Sequence, residues 1–155
     1  MQYLSNLLNN RILLTALLAM LSSQVIKFLL YLIINRKFDI SRILGDGGMP
    51  SSHSSVVSSV ATFCALCYGL DSFEFSITVL LAFIVMHDAK GVRLETGKQA
   101  KVLNELMDVI INIKGLAVDF SYDKFEEFVG HTPLQVLFGA ILGIFIGFIS
   151  YNFIF

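Results

Sequence analysis

The sequence predicts an all-α integral membrane protein: a helical bundle of about four transmembrane helices with one amphipathic interfacial helix, forming a single domain over residues 1–155. Three observations predict it. Hydrophobic residues make up 55% of the chain and the mean hydropathy is +0.75, more apolar than a soluble core requires. The apolar residues fall in long runs separated by polar connections, and the only two prolines, Pro50 and Pro133, stand where such runs begin. The formal net charge is −1, so no basic surface for nucleic acid is expected.

Residues 12–34 are almost wholly apolar, bounded by Arg11 and by Asn35-Arg36-Lys37. At ~1.5 Å per residue they suffice to cross a hydrocarbon core of ~30 Å. The N-terminus lacks the basic start and small-residue cleavage site of a removed signal, so this run is expected to persist as the first span. Ser22, Ser23, Gln24 and Lys27 interrupt it. A lysine inside a span costs roughly 3 kcal/mol unless it snorkels or faces a polar cavity. Both readings stand, with Gln24 one turn earlier on the same face favouring a polar site. Residues 35–49 then form a polar connection carrying Arg36, Lys37 and Arg42 against Asp39 and Asp46.

Residues 51–70 and 73–86 read as a helical hairpin closed by a turn at Gly69-Leu70-Asp71-Ser72. Cys64 and Cys67 form a C-x-x-C inside the first of these helices, where both are expected to pack as small hydrophobes. Residues 87–132 turn polar. Within them Leu103, Leu106, Ile110 and Ile113 recur at helical spacing while Lys98, Lys101, Asn104, Glu105 and Asp108 fall elsewhere. That pattern describes an amphipathic helix lying on the membrane or against the bundle. Residues 119–129 alternate acids with aromatics and read as a short interfacial segment. The last span covers 134–155, with Gly139, Gly143 and Gly147 forming a G-x-x-x-G-x-x-x-G face for close helix approach. Internal packing is its expected use, with a homo-oligomer through the same glycines as the alternative.

Lysine and arginine concentrate in the 35–50 and 87–132 connections and are absent from the 69–73 turn. The positive-inside rule therefore places both connections in the cytoplasm and both termini outside. Residues 50–55, 88–93 and 130–135 then emerge on one face, in what is expected to be a bacterial-type cell membrane.

The stretch Gly47-Gly48-Met49-Pro50-Ser51-Ser52-His53 is the part that hydrophobicity does not explain. Two glycines, a proline suited to the first turn of a helix, hydroxyl donors and an imidazole at a helix start would attract a phosphate. The plainer reading is a Ser-capped membrane helix with an interfacial histidine. His53 and His131 each stand beside one of the two prolines. One imidazole attacking and another delivering a proton to the leaving oxygen is sufficient for phosphoryl transfer through a phosphohistidine. Lys27 and Arg93, with Arg36 or Arg42, are the available cations. A metal site is disfavoured: His87-Asp88 and Asp46 could ligate an ion, but no H-E-x-x-H, Cys/His cluster or carboxylate pair at helical spacing accompanies them. No cofactor is expected.

The motifs G-G-M-P-S-S-H-S, H-D-A-K-G-V-R with G-K-Q-A and L-N following, and G-H-T-P-L-Q-V together resemble the divergent branch of the type-2 phosphatidic acid phosphatase superfamily, a group also related to vanadium haloperoxidases. The likeness covers nearly the whole chain, with the three motifs in the family's order. It implies that Pro50-Ser51-Ser52-His53 corresponds to the second phosphatase motif, Ser51, Ser52 and nearby backbone binding phosphate and His53 protonating the leaving group. By the same resemblance His131 would be the nucleophile, Lys27 and Arg93 would bind phosphate, and no metal is needed. The superfamily's arginine lies six residues before the nucleophilic histidine and its aspartate four after. Here Arg93 stands far upstream, position 135 is Gln135, and no Arg-Pro follows Lys27. Gln135 is expected to orient the imidazole, with Asp88 a further supporting residue.

The expected function is hydrolysis of a lipid phosphate monoester, or an isoprenoid phosphate, at the cytoplasmic membrane face by a metal-independent phosphatase. The expected partners are the lipid phosphate substrate and membrane lipids. The alternative is a non-catalytic membrane protein that binds a phosphorylated lipid or serves in assembly. A small transporter or channel is disfavoured because the polar residues cluster at one face.

Overall fold

The computed structural model describes residues 2–36, 48–114, 124–125 and 130–154. Every secondary element among them is helical: α1 (Gln2–Leu8), α2 (Arg11–Asn35), α3 (Ser52–Tyr68), α4 (Phe73–Lys90), α5 (Val92–Lys114) and α6 (Pro133–Ile149), followed by a π-helical turn at Ser150–Ile154. The chain is a membrane protein. Among the described residues, three segments are long and apolar enough to cross a bilayer: Arg11–Asn35, Phe73–Ile111 and Pro133–Ile154.

Polar caps set the helix boundaries. The Asn10 side chain accepts from the N–H groups of Ile12 and Leu13 at 3.0 and 3.2 Å, which starts α2 without leaving its first donors bare. Ser72 does the same for α4, accepting from Phe75 N–H at 3.1 Å. α2 ends where Arg36 turns left-handed, and α3 ends on Gly69 at φ +91°, a conformation that glycine reaches without steric cost.

The serine-rich helix α3 lies at the centre and packs against α2, α4 and α6. It has 17 residues, about 25 Å at ~1.5 Å per residue. Its buried face is built of small side chains, among them Ser54, Ser55, Ser58, Ser59, Ala61 and Cys64. α6 meets it with the glycine face, so of the two partners open to that face the occupant is the chain's own α3. A Cβ at Gly139 would lie 2.9 Å from Ser54 Cβ, one at Gly143 2.8 Å from Ser58 Cβ, and one at Gly147 2.6 Å from the Ser59 carbonyl oxygen. Such contact distances require glycine. Lipid tails are as apolar as leucine, so helices in a bilayer associate through close backbone approach, and large side chains are left to face lipid. Leu17, Phe83, Ile144 and Phe148 are exposed accordingly.

Several boundaries and faces differ from the sequence reading. α4 runs through His87-Asp88 to Lys90, one turn beyond the expected end at Met86, because polar residues can continue a helix once it has left the hydrocarbon. Pro50 lies outside the helix, one residue before the Ser51 cap, whereas Pro133 does occupy the first turn of α6. Of the two cysteines only Cys64 is packed inside; Cys67 is exposed. Among the described side chains of α5 the buried ones are Gly97, Ala100 and Asn104, while the apolar Leu103, Leu106 and Ile110 are about half exposed. Small residues let α5 approach the bundle, and its larger apolar stripe is turned outward, the disposition of a helix at a membrane surface. The side chain of Ile113, most of the 35–49 connection with Arg42 and Asp46, and the 119–129 segment apart from Lys124 and Phe125 lie outside the described residues.

Candidate active site

The start of α3 builds one wall of the site. Ser51 is fully buried, and its side-chain oxygen accepts from Ser54 N–H at 3.4 Å to cap the helix. Its own N–H donates to the Gln135 carbonyl oxygen at 3.0 Å. That bond fastens the first turn of α3 to the first turn of α6. Ser52 follows in the first helical turn, and its buried hydroxyl has no hydrogen-bond partner among the described residues. A buried hydroxyl is normally satisfied, so this one suits an oxygen-rich ligand, close to the N–H groups and the positive dipole end of α3.

His131 supplies the facing wall. It is 1% exposed, lies one residue before the Thr132 cap of α6, and its N–H donates to the Ala89 carbonyl at the end of α4 at 2.9 Å. The Thr132 and Gln135 side chains form a reciprocal capping box, Gln135 accepting from Thr132 N–H at 3.0 Å. These anchors hold the His131 ring 5.7 Å from that of His53, centroid to centroid, with the planes inclined at 59°. The carbonyl oxygen of the Gln135 side chain thus serves the helix cap.

The separation between Arg93 and His131 in sequence closes in space. Gly130 has φ +91° and packs directly on the Arg93–Leu94 peptide: a Cβ there would lie 2.6 Å from the Arg93 carbonyl carbon. The turn at Gly91 between α4 and α5 therefore delivers Arg93 beside the residue preceding His131. Arg93 Nε donates to Asp88 at 3.1 Å, both side chains being partly exposed. A pair of this kind is worth at most ~1 kcal/mol, and it holds the guanidinium at this corner.

Lys27 approaches along the loop that precedes α3. Only 7% of it is exposed, and its aliphatic stem lies beneath Gly48, whose Cβ would be 3.9 Å from Lys27 Cγ and Cδ. The lysine is therefore packed within the bundle under this loop. Gln24, one turn earlier, has a buried side-chain oxygen with no partner among the described residues. His87 is exposed on α4. No group of three or more His, Cys, Asp or Glu side chains that could hold a metal occurs among the described residues.

Two residues matter more than sequence reasoning gave them. Asn104, expected on the polar face of α5, is 2% exposed. It grips the backbone of Phe125 from both sides, donating through Nδ2 to the Phe125 carbonyl at 2.9 Å and accepting from its N–H at 3.0 Å. This clamp fixes the chain a few residues ahead of Gly130 and His131, with Lys124–Asp108 at 2.8 Å beside it. The available signal was an asparagine in register with Gly97 and Ala100. Gly130 is the second: only a φ or a contact shows why it must be glycine.

The family described as "Divergent PAP2 family" matches residues 8–146 of the chain. A relative described as "Uncharacterized membrane protein YuiD", from Bacillus subtilis (strain 168), is 41% identical over 145 residues, covering 89% of this chain and 92% of that protein. No solved structure matches the chain.

Proposed function

Because the chain belongs to the divergent PAP2 family, we propose that it is a metal-independent membrane phosphatase acting on a lipid phosphate monoester or an isoprenoid phosphate at the cytoplasmic face. The observation that carries this reading is the pairing of the His53 and His131 rings at 5.7 Å, at the shared end of α3 and α6. His131 attacks phosphorus while the bond to the lipid oxygen breaks, and protonated His53 gives its proton to that oxygen. Water then attacks the phosphohistidine, His53 takes the water proton, and phosphate leaves with His131 restored. The Ser52 hydroxyl, the N–H groups opening α3, Lys27 and Arg93 hold the phosphoryl oxygens as charge develops. The concentration of lysine and arginine in the two connections on this side supports a cytoplasmic orientation.

The test is phosphate release by the purified protein from a panel of lipid phosphates, without added metal and with or without vanadate. Vanadate-sensitive release by wild type, abolished in His131→Ala and His53→Ala, is expected. Full hydrolysis by both variants would sink the assignment. A second reading, a non-catalytic protein that binds phosphorylated lipid, is favoured by one observation: position 135 carries no carboxylate to stabilise an imidazolium, and the Gln135 side-chain oxygen is engaged with Thr132. That reading predicts lipid-phosphate binding dependent on Lys27 and Arg93 with no product.

A further inference from the structure

An apolar groove of about 340 Å³ opens between α2 and α6. Ile26 and Leu30 of α2, Met49 and Pro50 of the loop, and Phe138 and Ile141 of α6 line it, and Leu142 and Phe145 carry it deeper. Its position relative to the site is what gives it meaning. Pro50 lines it, and the next residue, Ser51, is the buried cap of α3. Lys27, adjacent in sequence to Ile26, sends its stem under Gly48 of the same loop. From Phe138 to Phe145 the groove descends seven residues along α6, roughly 10 Å at ~1.5 Å per residue, away from the end that holds His131.

A lysine packed under Gly48 and the start of α3 adjoin the Met49-Pro50 wall of a groove with a purely apolar lining, a pairing that matches an amphiphile with an anionic head and a hydrocarbon tail. The groove's volume of about 340 Å³ is well below that of two turns of a helix ~10–12 Å across, roughly 1,000 Å³. Building on the phosphatase reading above, we infer that the α2–α6 groove seats the hydrocarbon tail of the phosphate-bearing lipid and thereby sets the register of its head against His53 and His131. A tail already in the bilayer gains little hydrophobic energy by entering the groove. The groove therefore acts on alignment: it selects lipids whose tail leaves the phosphate without a bulky obstruction near the head. The apolar crevice between α3, α4 and α6, lined in part by Phe83 and Ile144, includes neither Lys27's neighbours nor the Met49-Pro50 loop and serves as the control surface.

The test uses the full-length protein in vesicles. A lipid phosphate monoester carrying a diazirine in its tail is photolysed and the labelled peptides are mapped, beside a zwitterionic lipid with the same tail. Labelling by the phosphate lipid is expected to concentrate on the α2 and α6 groove residues, and to fall in Ile141→Trp but not in Phe83→Trp. In parallel, Ile141→Trp is expected to lower kcat/KM for the long-chain substrate by about tenfold to a hundredfold, the range produced by a misplacement of ~1 Å, and to leave a short water-soluble phosphomonoester unaffected. Equal labelling by the two lipids over all exposed faces, or a long-chain kcat/KM untouched by Ile141→Trp, would overturn the inference while leaving the phosphatase reading intact. Wild type that labels at the groove but releases no phosphate would fail the phosphatase reading and keep the groove as a lipid seat. A change of oligomeric state in Ile141→Trp would show instead that a second copy occupies the groove, and would also overturn it.

Discussion

Replacing Gly139 with alanine tests the coupling between packing and the site. The new methyl would lie 2.9 Å from Ser54 Cβ and 3.1 Å from Ser51 Cβ, and would press on the Ser51 carbonyl oxygen. Ordinary carbon contacts need ~3.5–4.0 Å, so α3 and α6 must part by roughly 0.5–1 Å. Overpacking of this kind costs about 1–3 kcal/mol. The Ser51 N–H to Gln135 carbonyl bond, 3.0 Å long and one turn from Gly139, would stretch to the edge of hydrogen-bonding range. His53 and His131 ride on the two sides of that bond, and a misplacement of ~1 Å can cost about a hundredfold in rate. Gly147→Ala is the control: its methyl would meet the Ser59 carbonyl oxygen at 2.6 Å, but two turns deeper, roughly 12 Å from Gly139. Unfolding in detergent, followed by circular dichroism, should show comparable destabilisation in both variants. Phosphate release should fall at least tenfold more in Gly139→Ala than in Gly147→Ala, in line with the misplacement estimate. Equal losses of turnover, or wild-type stability in both, would refute the argument.

Other expectations follow from single contacts. Gly130→Ala combines a disfavoured φ of +91° with a methyl 2.6 Å from the Arg93 carbonyl carbon, and should cost about 1–3 kcal/mol in the same unfolding assay. Asn104→Ala removes both bonds to Phe125 and leaves that backbone unsatisfied, a loss of about 1–3 kcal/mol; limited proteolysis around Lys124 should accelerate while the α2–α3 region keeps its wild-type rate. Lys27→Met keeps the aliphatic stem under Gly48 and removes only the ammonium. Loss of a charge-assisted hydrogen bond, worth ~1.5–3 kcal/mol, predicts roughly tenfold or greater weakening of lipid-phosphate binding in vesicle sedimentation, and unchanged binding would exclude Lys27 from the phosphate site.

Much of the fold was legible residue by residue. The apolar runs marked α2 and α6 because the free energy of inserting a helix is close to a sum over its own side chains. The glycine pattern of α6 marked where a helix comes close. Cap chemistry at Asn10, Ser51, Ser72 and Thr132 is equally local. The candidate site was legible as residue types: the two histidines, Ser52, Lys27 and Arg93 stood out because polar groups at membrane helix ends need a reason.

What only the tertiary structure decided is which faces meet. The sequence could not say that Gly139, Gly143 and Gly147 receive the serine face of α3, that α5 turns Gly97, Ala100 and Asn104 inward and its leucines outward, or that Cys64 and Cys67 part company. Nor could it show Gly130 closing on Arg93 across the length of α5, or His53 and His131 meeting at 5.7 Å. Hydrophobicity decides that a segment enters the membrane, but inside the membrane it no longer distinguishes one apolar face from another. There the pairing is chosen by contact distance and by hydrogen bonds that must be satisfied, and those quantities exist only between segments.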